Sequence, residues 1–281
     1  MDKKVLTVQD ISCFGQCSLT VALPIISACG IETAILPSAV LSTHTSGFTG
    51  YTFRDLTADI PGILAHWEKE HIAFDAIYTG YLGSAEQIRL VEEMFVRVAN
   101  PGCVKIVDPA MADGGKLYPG FDAAYAARMA ELAGKADIVL PNITEAAMMT
   151  GQPYRESGYD EAYILSLAKG LLRLGAGAVV MTGVSYRPGE VGVAVIGKNA
   201  AAPAYYFHEK LPENSHGTGD IFASAFTGAL MRGKSAADAA RVAADFTLAG
   251  MKATAGDPGH RYGTKFEKAI PTLIAALGER T

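Results

Sequence analysis

Through the first two-thirds of the chain, short runs of β-branched and apolar residues give way repeatedly to longer segments with helical spacing. Val5-Leu6-Thr7-Val8 reads as a strand, Thr20 to Ala28 as a helix closed by Gly30, Glu32 to Leu36 as a second strand, and Asp55 to Lys69 as a helix. Ala76-Ile77-Tyr78, a helix over Ala85 to Val98, and Val104-Lys105-Ile106-Val107 continue the alternation. Asp137-Ile138-Val139-Leu140 and Ala178 to Met181 add strands, while Gly192 to Ile196 and Ala204 to Phe207 read as an antiparallel extension. Helical segments open from Asp220, Ala236 and Phe266. Strands separated by helices predict an α/β fold built on a mostly parallel sheet. No internal repeat, low-complexity tract or linker divides the sequence, so one domain is expected over residues 1–281.

Composition agrees with a well-buried α/β enzyme: 49% of residues are hydrophobic, 19% are charged, and 30 glycines are spread along the length. The net charge of -5, without a run of like charges, supplies no basic stripe for nucleic acid. No segment is long and apolar enough to span a membrane, and Met1-Asp2-Lys3-Lys4 does not open a secretory leader, so a cytoplasmic protein is expected. The 4 cysteines, Cys13, Cys17, Cys29 and Cys103, have neither disulfide-framework nor zinc spacing and are read as buried free thiols.

Open parallel sheets bind ligands beyond the carboxyl ends of their strands, so the polar residues that follow each strand are the candidate chemistry. The segment His216-Gly217-Thr218-Gly219-Asp220 runs into Ile221-Phe222-Ala223-Ser224-Ala225-Phe226, which reads as a buried helix. Its glycines expose backbone N–H groups at a helix N-terminus, an anion hole suited to a phosphoryl group, and the Asp220 carboxylate beside them can take a proton from an alcohol. Asp220 read alone is equally an acidic residue complementing the helix dipole. Asn142 and Glu145, in Pro141-Asn142-Ile143-Thr144-Glu145, have the spacing of a helix cap, with Asn142 as N-cap and Glu145 at the third helical position.

The Gly217-Thr218-Gly219-Asp220 segment with its apolar helix resembles the signature of the ribokinase-like superfamily, and further segments resemble its pyridoxal kinase branch. That resemblance implies a three-layer α/β/α architecture and Asp220 as catalytic base, with Gly217, Thr218 and Gly219 as anion hole. Thr79-Gly80-Tyr81-Leu82-Gly83-Ser84 is similar to the loop that carries a tyrosine near the pyridine ring, which makes Tyr81 a substrate-site candidate. Asp108-Pro109-Ala110-Met111-Ala112-Asp113 is similar to a motif whose carboxylates lie near nucleotide and metal, and the resemblance gives Asn142 and Glu145 to the Mg²⁺ water shell. It thereby implies Asp108, Asp113, Asn142, Glu145 and Thr182 at the nucleotide, with Asp108 and Glu145 at the metal. Leu41-Ser42-Thr43-His44-Thr45-Ser46-Gly47 is similar to a loop of the vitamin pocket and brings in His44 and Thr45.

Asp10 departs from the branch, which has a ring-contacting serine there. Its carboxylate either pairs with a protonated ring nitrogen or an amine, or is a tolerated local exchange. The implied reaction is transfer of the ATP γ-phosphoryl group to the 5′-hydroxymethyl of a B6 vitamer, with Mg²⁺, a monovalent cation such as K⁺, and a homodimer implied by the same resemblance. Hydroxymethylpyrimidine or another small alcohol such as a sugar as the acceptor, or a non-catalytic B6 or nucleotide carrier, are the competing expectations.

Overall fold

Alternating side chains along each strand feed two separate cores in the computed structural model, which describes residues 3–212 and 216–278. Met1 and Asp2 of the N-terminal reading lie outside the described residues. In β1 (Lys4–Ser12), Leu6 and Val8 enter one core and Val5 the other. Such period-two partition, buried on both faces, is what a sheet covered by helices on each side requires.

The chain continues through α1 (Leu19–Ala28), β2 (Glu32–Leu41), β3 (Phe53–Asp55), α2 (Ile60–Lys69), β4 (Phe74–Thr79), α3 (Ala85–Arg97) and β5 (Ala99–Val107). A small hairpin, β6 (Ala112–Asp113) and β7 (Lys116–Leu117), precedes α4 (Ala123–Ala133), β8 (Ile138–Val139), α5 (Ile143–Thr150) and α6 (Glu161–Leu174). Then come β9 (Ala178–Val184), β10 (Glu190–Gly197), β11 (Ala204–Glu209), α7 (Thr218–Met231), α8 (Ala236–Thr254) and α9 (Ile270–Leu277).

The main sheet has 9 strands in the order β11-β10-β9-β8-β5-β4-β1-β2-β3. From β2 to β9 neighbouring strands run parallel; β10 and β11 extend that edge antiparallel, as the sequence predicts, and β3 closes the opposite edge antiparallel to β2. Helices α2 to α6 pack one face and α1, α7, α8 and α9 the other, giving the three-layer arrangement. The chain leaves β1 toward β2 on one side and toward β4 on the other. Loops diverge at that switch point, and the crevice they leave above β1 and β4 is where such sheets take ligands.

Two expectations are corrected. Asp55 ends β3 instead of starting a helix: it lies in a strand, its carboxylate accepts the Thr57 N–H at 2.8 Å, and α2 starts at Ile60 with Pro61 in its first turn. The cysteines are free, but only Cys29 is buried; Cys13 is exposed and Cys17 and Cys103 are half-buried, because Cys13 and Cys17 sit in the loop rimming the crevice above β1. Among the described residues no helix is long and apolar enough to cross a membrane.

Candidate active site

The carboxyl end of β1 carries polar side chains that are nonetheless buried. Asp10 is 5% exposed and Ser12 1%. Ser12 donates its hydroxyl to Asp10 Oδ2 at 3.1 Å, and Ser18 donates to Asp10 Oδ1 at 2.6 Å. Burial pushes the Asp10 carboxyl up, and these hydroxyls partly offset that.

Ser18 stands at the N-cap of α1, yet its side chain does not cap that helix. Its backbone lies at φ 53°, ψ -132°, a left-handed region that side chains avoid. In this posture its own N–H points at the start of α7 and donates to Asp220 Oδ2 at 3.1 Å.

Gly217 begins α7 at φ 77°, where a Cβ would fall 1.9 Å from the Gln16 carbonyl oxygen. Only glycine fits there, so the β1–α1 loop can pack directly under the Gly217-Thr218-Gly219 turn. The turn presents a helix N-terminus to the crevice, with Asp220 in the first helical turn. Asp220 lies in the first turn of α7, where the dipole reading puts it, and its carboxylate also accepts from Ser18 at the far end of the β1–α1 loop. Burial, followed by a smaller push from Asp10, raises the Asp220 pKa to about 7, against which the Ser18 N–H acts.

On the other flank, Asp108 follows β5 and Glu145 lies in the first turn of α5. The expected cap is present: Asn142 Oδ1 accepts the Glu145 N–H at 2.9 Å, and Glu145 Oε2 accepts the Asn142 N–H at 2.8 Å. Glu145 Oε1 also accepts the Met111 N–H at 3.1 Å, and Asn142 Nδ2 donates to the Ala112 carbonyl at 2.8 Å, so the Asp108–Asp113 segment is tied to α5. Thr182 joins by a parallel bridge to Asn142, its N–H donating to the Pro141 carbonyl at 2.9 Å. Asp108 and Glu145 are both pushed up by burial, Asp108 further by the charges of Glu145 and Asp220. Asp113 is exposed, with Glu145 and Tyr118 within its electrostatic reach.

Asp10, Asp108, Glu145 and Asp220 thus converge on one crevice, and none of them pairs with a Lys or Arg among the described residues. Buried carboxylates without a cation of the protein's own suit a ligand set that brings positive charge. Among the described residues no cluster of three or more His, Cys, Asp or Glu side chains is arranged to enclose an ion, so a metal there would be held partly by other oxygens, as Mg²⁺ is by phosphates.

The remaining predicted residues surround the Asp10 end. His44 is 4% exposed, and its Nε2 lies 3.0 Å from the Tyr262 carbonyl, which makes Nε2 the protonated nitrogen. Its Nδ1 is buried without a partner among the described residues, and burial lowers its pKa. Tyr81 is half-buried, its ring 5.5 Å from that of Phe121, and burial, helped by the Asp10 charge, raises its hydroxyl pKa. Thr45 is exposed in the His44 loop. Residues the sequence did not single out complete the wall: Ser12, Ser18, Phe14 with its ring 4.7 Å from Tyr262, Phe48 with its ring 5.0 Å from His44, and Tyr118 facing the carboxylates. The buried Tyr78 of β4 is within electrostatic reach of Asp108 and Asp220.

The chain and its fold are similar to known proteins. The family model for phosphomethylpyrimidine kinase matches residues 38–265. A pyridoxine/pyridoxal/pyridoxamine kinase of Bordetella avium is 30% identical over 269 residues, covering 89% of this chain and 85% of that protein. A Bacteroides thetaiotaomicron structure, classed with phosphomethylpyrimidine kinases and crystallised with pyridoxal, superposes with TM-score 0.91 at 37% identity over 97% of this chain and 96% of its own. Pyridoxal kinase from Lactobacillus plantarum superposes with TM-score 0.89 at 31% identity over 97% of both chains.

Proposed function

This chain belongs to the phosphomethylpyrimidine kinase family and is an ATP-dependent kinase of B6 vitamers, and we propose that it phosphorylates the 5′-hydroxymethyl group with Asp220 as general base. The observation that carries this reading is the position of the Asp220 carboxylate: beside the Gly217–Gly219 turn, held by Ser18, and in one crevice with Asp10.

The alcohol proton passes to Asp220 as the hydroxymethyl oxygen attacks the γ-phosphorus. The bond from that phosphorus to the bridging oxygen breaks, and ADP leaves. N–H groups of the Gly217–Gly219 turn face the oxygens on which negative charge collects. A base is most effective with a pKa near working pH, and burial brings Asp220 to about 7.

Asp108 and Glu145, with Asn142 fixing the Glu145 rotamer, are the residues that would hold Mg²⁺. The bound ion supplies charge neutralisation for the phosphates, and the uncompensated carboxylates fit that need. Thr182 and Asp113 line the nucleotide side, whereas His44, Thr45, Tyr81 and Asp10 line the vitamer side. A coupled ATPase panel with pyridoxal, pyridoxamine, pyridoxine and hydroxymethylpyrimidine tests the substrate. Stimulation by the B6 vitamers is expected; stimulation by the pyrimidine alcohol alone would overturn the assignment.

A further inference from the structure

Ser18 holds a posture that its own helix does not explain. A serine at an N-cap ordinarily accepts an N–H of the first turn, and this one makes no such bond. It also occupies a backbone conformation that serine adopts only when its surroundings impose it. What the posture achieves is specific: the hydroxyl donates to Asp10 Oδ1 at 2.6 Å while the N–H of the same residue donates to Asp220 Oδ2 at 3.1 Å.

The loop bearing Ser18 is clasped from several sides. Thr20 donates its hydroxyl to the Gly15 and Cys17 carbonyls at 3.1 and 2.7 Å. Gln16 donates its N–H to the Tyr262 carbonyl at 3.0 Å and its side-chain amide to Glu267 at 2.8 Å. Gly217 packs against the Gln16 carbonyl from the α7 side.

We infer that Ser18 is a positioning residue that links the vitamer-side carboxylate Asp10 to the base Asp220, its hydroxyl anchoring the strained backbone that aims its N–H. The inference rests on the assignment of Asp220 as base. With Oδ2 held by Ser18, the second oxygen of Asp220 is the one presented to the alcohol. Because Asp10 lies in the vitamer pocket, a ligand that pulls on Asp10 acts on the base through one residue.

Ser18→Ala removes the hydroxyl but keeps an N–H and a Cβ. The unanchored backbone relaxes out of the left-handed region and withdraws the N–H, so kcat should fall at least about tenfold while KM for ATP stays within about twofold. Ser18→Gly occupies the same backbone region without strain, so the N–H stays in place. It should recover kcat to within about threefold of wild type while KM for the vitamer rises, because Asp10 alone has lost a donor. At saturating vitamer the kcat losses of Ser18→Ala and Asp10→Ala should not multiply in the double variant, since both cut the same link. Wild-type kcat in Ser18→Ala, equal losses in the Ala and Gly variants, or full multiplication in the double variant would each overturn the inference. If Ser18→Ala does not fold, Ser18→Gly decides alone: a raised vitamer KM supports the link, and unchanged constants overturn it. Asp220→Asn measured in parallel separates the two claims. If it retains turnover, the base assignment fails and the inference with it; if it is inert while the Ser18 variants behave as wild type, only the positioning role fails.

Discussion

The backbone N–H of Ser18 donates to Asp220 Oδ2 at 3.1 Å, joining residues 202 positions apart in sequence. It joins the loop after β1 to the first turn of α7, where the proposed vitamer and phosphate sides meet. The carboxylate it holds is half-buried and lies near Asp10, and these surroundings set its proton affinity.

Activity should therefore follow the charge state of Asp220. Burial raises its pKa to about 7, and a base must be unprotonated, so kcat/KM should rise with pH through about 7 and level above it. A pH profile under saturating Mg²⁺ and ATP checks this. A limb near the ordinary carboxylate pKa of about 4 would mean that burial is not what sets the base.

Stability of the ligand-free chain should move the opposite way. Asp108 is pushed well above the ordinary carboxylate value by burial and by Glu145 and Asp220. A carboxylate whose folded pKa is raised makes the folded chain bind more protons than the unfolded one above pH about 4, so stability declines as pH rises from there through the folded pKa. Asp108→Asn removes that loss. At pH 8 it should stabilise the ligand-free chain by about 1–2 kcal/mol, read as a Tm rise of roughly 2–6 °C, while kinase activity falls. An unchanged or lower Tm would contradict a buried, uncompensated charge.

The turn glycines should separate in their tolerance of a methyl group. Gly217→Ala places a Cβ 1.9 Å from the Gln16 carbonyl at φ 77° and should destabilise the fold by about 1–3 kcal/mol while costing activity. Gly219 has open space at its Cβ position, and Gly219→Ala should stay within about 0.5 kcal/mol of wild type. Thermal melts of the two variants distinguish them.

How far the sequence reveals this site depends on whether a residue's role follows from local pattern. The Asn142 and Glu145 cap is local, and the structure has it as the spacing predicts. The antiparallel edge, β10 and β11, shows the expected apolar runs. Strand β1, by contrast, reads as ending at Val8 because hydrophobicity ends there, yet it extends to Ser12: Asp10 and Ser12 are buried polar residues, and they line the candidate site. Strand β3 escapes because all its side chains are exposed and it is only 3 residues long. Helices α4 and α6 lie outside the elements the sequence predicts, although Asp122 and Asp160 cap them in the ordinary way. Ser18 is illegible for a different reason: a serine before an apolar helix reads as a plain N-cap, and only the folded chain reveals that its hydrogen bonds go to Asp10 and Asp220.

The proton acceptor is the centre of the proposed mechanism. Asp220→Asn keeps the size and polarity of the side chain but removes its capacity to take a proton, and the ATP-dependent formation of pyridoxal 5′-phosphate by this variant is the direct measurement. A kcat lower by about 10²–10⁴-fold with ATP binding retained is expected. A variant that binds ATP and turns over within a few-fold of wild type would contradict it.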